Sequence, residues 1–117
     1  MKAIKIKRIY EAADSGDGYR MLIDRLWPRG VSKEEAKLDE WNKELAPSTE
    51  LRKWFDHTPE RFEEFKKRYV EELKSKDEEL KRLHALAKSK DLTLLYAAKA
   101  EDINNAVVLR ELLMKKE

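Results

Sequence analysis

The chain of 117 residues carries 26 basic against 24 acidic side chains, a formal charge of +2; that length suits one domain, spanning 1–117, and that balance exerts no strong pull toward nucleic acid or acidic membrane. Cysteine is absent, which excludes disulfides, thiolate catalysis and Cys-ligated zinc. No run approaches the roughly 18 apolar residues of a membrane helix, and no charged-then-apolar leader opens the chain, so a soluble cytoplasmic protein is expected.

From Lys2 to Ile9, Ile4 and Ile6 alternate with Lys5 and Lys7, the period of a half-buried strand. Its lysines suit an edge guarded against stray pairing, or a basic strip for a polyanion. Glu11 to Gly18 is a turn-rich loop, too short for a full crossover helix, so local reasoning favours a hairpin or an abbreviated connection. Tyr19 to Asp24 is a second strand, apolar enough at Met21, Leu22 and Ile23 to be buried on both faces. A Trp27-Pro28-Arg29-Gly30 corner ends it.

Ser32-Lys33-Glu34-Glu35 matches a capping box, and the spacing of Leu38, Trp41 and Leu45 predicts one buried helical face beyond it. Ser48 is placed to cap a helix carrying Leu51, Trp54 and Phe55, and Thr58-Pro59 signals another start, followed by Phe62, Phe65, Tyr69 and Leu73. A further start at Ser75 to Glu78 leads to Leu80, Leu83, Leu86 and Ala87. Thr93 to Ala98 is a continuous apolar run that reads as a central strand, and Ile103 to Met114 as a final helix. The order predicts an α/β fold. It is a small, mostly parallel sheet of about three or more strands, covered by helices, with a helical excursion between strands 2 and 3. The charged fraction of 43%, rich in Lys and Glu, suits solvated helix surfaces and leans toward a thermophilic source.

Several blocks resemble the YeaO-like family, a small bacterial and archaeal domain of unknown function. They are Asp17-Gly18-Tyr19-Arg20, Asp24-Arg25-Leu26-Trp27-Pro28-Arg29-Gly30, Leu45-Ala46-Pro47-Ser48, Leu51-Arg52-Lys53-Trp54-Phe55 and Thr93-Leu94-Leu95-Tyr96-Ala97-Ala98. The resemblance covers most of the chain and implies that the first two strands belong to one parallel sheet, against the hairpin. Where the family pattern reads Asn-His-Ala, this chain has Asn104-Asn105-Ala106. An amide does not titrate, so Asn105 cannot act as a general base.

Buried strands that end in charged residues and a Pro/Gly turn tend to hold ligands in open α/β sheets. Arg25 and Arg29 suit a phosphate or carboxylate. In a parallel sheet, Tyr96, Asn104, Asn105 and Ser48 would complete an anion-binding crevice with them. The same residues also suit a scaffold, with Asp24 pairing Arg25 or Arg29 and Asn104 capping the last helix. Asp24 and His57 are the candidates for acid–base chemistry, although no residue pair forces a mechanism and enzyme status stays open. No Gly-rich phosphate loop, nucleophile elbow or dinucleotide fingerprint occurs, so no cofactor is evident. Two separated histidines without cysteine point to no metal. The alternative function is a nucleic-acid- or protein-binding regulatory module without catalysis, using Lys2, Lys5, Lys7 and Arg8.

Overall fold

The computed structural model describes residues 4–115. Four strands, β1 (Ile4–Arg8), β2 (Tyr19–Leu22), β3 (Glu40–Trp41) and β4 (Leu92–Tyr96), form one sheet in the order β1-β4-β2-β3, each neighbouring pair parallel. The helices are α1 (Lys33–Ala36), α2 (Thr49–Phe55), α3 (Phe62–Leu73), α4 (Asp77–Ser89) and α5 (Asn105–Lys115). The chain is thus a small parallel α/β fold. The run expected as the third strand is β4; the short β3 precedes the long helical stretch α2 to α4. No helix among the described residues is long and apolar enough to cross a membrane.

The hairpin suggested by the short first loop does not form. Ile4 of β1 and Tyr19 of β2 both pair with Leu92, so β4 lies between their strands. Burial explains this order. All five residues of β4 are buried, which only a central strand allows, whereas the lysine-bearing β1 sits at an edge.

Side-chain alternation divides the apolar residues between the two sheet faces. Ile4, Met21, Ile23, Leu92, Leu94 and Tyr96 enter the larger core, which α2 to α5 cover with residues such as Leu51, Phe65, Tyr69, Leu83 and Leu109. Ile9, Leu22 and Leu95 enter a smaller core, closed by Ala36 with Trp27, Val31, Leu38 and Trp41.

That division overturns one expected helix. The Ser32 capping box forms, with Ser32 Oγ accepting from Glu35 N–H and Glu35 accepting from Ser32 N–H. Lys37 then turns left-handed, at φ 46°, and the helix stops. Leu38 and Trp41 pack in the smaller core while Leu45 packs in the larger. Their helical spacing therefore serves opposite sides of the sheet, and Glu40–Trp41 pair with β2 as a strand. Ser48 caps α2 by accepting from Leu51 N–H, as its position predicts. Thr58 does not cap with its hydroxyl, which instead donates to Asp56 O.

Beside the smaller core lies a buried ionic cluster. Asp17 accepts from Arg20 and Lys7, and Arg20 also donates to Ala36 O and Lys37 O at the end of α1. Thr93 Oγ1 donates to Asp17 O. Gly18, at φ 67°, follows immediately, and a Cβ there would lie 2.4 Å from Asp91 O.

The outer edge of β1 is occupied at both ends. Arg110 Nε donates to Ile4 O, Arg8 N–H donates to Glu11 Oε2, and Glu11 N–H donates to Arg8 O. The basic strip is similarly engaged: Lys7 pairs with Asp17, Lys5 Nζ donates to Gly16 O, and Arg8 Nε donates to Ala98 O. Lys2 lies outside the described residues.

Candidate functional site at the strand ends

Parallel pairing brings the ends of β2 and β4 and the start of α5 to one side, where Asp24 is the hub. Its Oδ2 accepts from Ala97 N–H at 2.9 Å, just past β4. Its Oδ1 accepts from the Asn105 amide at 3.1 Å, and the same amide donates to Ile23 O at 2.9 Å. The Trp41 indole N–H reaches Asp24 O at 2.7 Å. Burial pushes the Asp24 carboxyl above the ordinary aspartate range, against the opposing pull of Ala97, Asn105 and the charges of His57 and Arg52. Tyr69, whose hydroxyl donates to Leu45 O, feels Asp24 in turn; burial and the nearby Asp24 and Glu72 charges push its phenol up.

The corner after Asp24 is pinned to its surroundings. Arg25 donates to Pro47 O at 3.1 Å and Ala46 O at 3.3 Å, so it ties the corner to the segment that leads into α2. Trp27 donates to Val31 O at 2.7 Å and meets Trp41 edge-on, with ring centres 5.3 Å apart. Arg29 is exposed; its carbonyl accepts from the Tyr10 hydroxyl, and its guanidinium has no partner among the described residues.

The remaining sequence-predicted residues lie in three places. Asn104 caps α5, its Oδ1 accepting from Val107 N–H and its amide donating to Ala100 O. Its side chain also meets the Tyr96 hydroxyl, whose phenol burial pushes up, with Glu101 and Glu11 adding to the effect. Ser48 lies further back: its hydroxyl donates to Glu72 Oε2 at 2.6 Å while capping α2, which joins α2 to α3. His57 is exposed at the end of α2, held at φ 52° after Asp56 at φ 45°, with its ring 6.2 Å from Phe55. Two successive left-handed residues without glycine are uncommon and cost conformational energy.

Arg52 is the site residue that sequence reasoning missed. It lies on α2 one turn after Ser48, its N–H bonded to Ser48 O. Its Nε is buried and meets no hydrogen-bond partner among the described residues. An arginine in an amphipathic helix gives no pattern that marks it; the family-like block Leu51-Arg52-Lys53-Trp54-Phe55 was the only signal. No group of three or more His, Asp or Glu that could hold a metal ion occurs among the described residues.

Fold and strand ends together define a small parallel α/β domain with a hydrogen-bonded Asp24–Asn105 pair where β2, β4 and α5 meet. A family model described as the inactive DUF488-N3 subclade matches residues 3–117, and the chain belongs to this family of YeaO-like proteins. It is 49% identical to the uncharacterized protein YeaO of Escherichia coli over 108 residues, which cover 92% of this chain and 94% of that protein. Uncharacterized proteins of Mycobacterium tuberculosis and Mycobacterium bovis are each 41% identical over 110 residues, covering 94% of this chain and 92% of theirs. No solved structure gives a significant match.

Proposed function

We propose that this domain binds a small phosphate- or carboxylate-bearing ligand at the strand ends without transforming it. The observation that carries the reading is the Arg52 Nε, buried and without an acceptor among the described residues. A buried donor left unmade costs free energy that an anion's oxygen would recover. The exposed Arg29 guanidinium is a further donor offered at the corner, and Asn105 holds Asp24 in place. Arg25, spent on Ala46 O and Pro47 O, shapes the wall of the site.

Absence of turnover is supported by the description of the matched family as inactive. Chemistry supports it too: the group that touches Asp24 is an amide, which neither accepts nor releases a proton near neutral pH. Lys7, committed to Asp17, offers little to a polyanion, which weakens the nucleic-acid alternative.

A thermal-shift screen with phosphate, sulfate and small carboxylates tests the proposal on wild type, Arg52→Gln and Arg29→Ala. A ligand at ten times its Kd should raise the wild-type midpoint by about 5 °C. The rise should vanish in folded Arg52→Gln. No selective rise with any anion, or an equal rise in that variant, would overturn the reading.

A further inference from the structure

An open cleft of about 470 Å³ runs between the end of β3 and α4. It is lined by residues 40–44 on one side and by Glu79 and Arg82 of α4 on the other, and by none of the residues assigned to the anion site. We infer that this cleft binds a small organic ammonium ion of the choline type against the Trp41 ring, in the place that the chain's own Lys43 occupies. The inference does not rest on the anion-binding reading.

The aromatic wall is fixed in advance. The Trp41 indole N–H is tied to Asp24 O at 2.7 Å, and its ring meets Trp27 edge-on. The Lys43 ammonium sits 4.1 Å from the centre of the Trp41 ring, drawn by the negative π face. Lys43 is exposed and makes no ion pair among the described residues, although three carboxylates line the same cleft. Two of these are committed: Glu40 and Glu79 hold Arg82 between them, and the buried Asn42 amide donates to both. The third, Glu44, is exposed and has no partner among the described residues. Three carboxylates against Lys43 and Arg82 leave the cleft negative by one charge, and by two once Lys43 swings into water. An anion finds no free donor on the paired Arg82, whereas a cation meets an aromatic face and a spare carboxylate. A quaternary ammonium is less strongly hydrated than the lysine it displaces, and cation–π attraction grows as water is excluded.

Choline and 3,3-dimethylbutan-1-ol have the same shape, and only choline is charged. Each is titrated at constant ionic strength while the Trp41 indole N–H signal is followed by nitrogen-edited NMR. Choline should shift that signal saturably and the alcohol should not. Lys43→Ala removes the competing ammonium from an exposed position, so it should tighten choline binding about two- to fivefold, the worth of an exposed cation–π contact. Glu44→Gln should weaken it about twofold, as the loss of an exposed opposite charge does.

No saturable shift with choline, or an equal shift with the alcohol, would overturn the inference. So would choline affinity that is unchanged or weaker in Lys43→Ala, because Lys43 would then not be holding the ligand's place. Lys43→Gln repeats that comparison with a polar, uncharged side chain, and the wild-type contrast between choline and the alcohol needs no variant at all.

Discussion

Two aspartates, Asp17 buried and Asp24 partly buried, should pull stability in opposite directions with pH. Burial alone would raise the Asp17 carboxyl, but the Asp14 N–H, Lys7 and Arg20 together outweigh it and hold its pKa below the ordinary value. A depressed folded value means stability that is present above the unfolded pKa and lost as pH falls through the folded one. Asp24, raised mainly by burial, does the reverse: its contribution is present below the unfolded pKa and lost as pH rises through the folded one. Urea midpoints across acid pH should therefore show a shallower acid limb in Asp17→Asn. In Asp24→Asn, the loss on the rising side should shrink. Removing the buried cation is harsher. Arg20→Met strands Asp17 without its closest partner and should cost about 3–5 kcal/mol by denaturant unfolding. The two left-handed glycines make a further contrast. Gly30→Ala, with no atom within 4 Å of the added methyl, should cost only the backbone term of about 1–2 kcal/mol. Gly18→Ala also drives its methyl into the Asp91 backbone, so it should cost clearly more than Gly30→Ala.

At the scale of elements, the Trp27 corner is a clamp. One indole N–H anchors it to Val31 O, the neighbouring Trp41 indole anchors Asp24 O, and the two rings meet edge-on over the smaller core. Trp27→Ala should lower stability by about 3 kcal/mol, the usual cost of aromatic truncation, and an unchanged denaturation midpoint would show that the clamp carries no weight. This corner also shows how far the chain's own pattern reaches. β4 and α5 were legible because a long apolar run and a dense apolar helix permit few alternatives, and Ser48 because a capping hydroxyl acts within one turn. β3 was hidden: two residues cannot display a period, and Leu38, Trp41 and Leu45 mimic a helix while facing opposite cores. Asp24, Asn104 and Asn105 could be singled out because strand ends in parallel sheets share one side. Arg52 could not, since its significance lies in an acceptor it lacks, and that depends on tertiary packing.

For the molecule as a whole, the sheet order fixes where opening is hardest. β4 is buried along its length and flanked by β1 and β2, so its amides should exchange with solvent only through global unfolding. Hydrogen-exchange mass spectrometry should find the slowest protons in Leu92–Tyr96; faster exchange there than in α3 would contradict this packing. At β1 the position is reversed, because an edge strand offers its backbone to any passing chain. Arg110 and Glu11 act there as gatekeepers, occupying backbone groups at its two ends. The double variant Glu11→Ala with Arg110→Ala should thus keep the fold yet form thioflavin-positive fibrils sooner than wild type. Two side chains from opposite ends of the sequence would then be what keeps copies of this protein from zipping together.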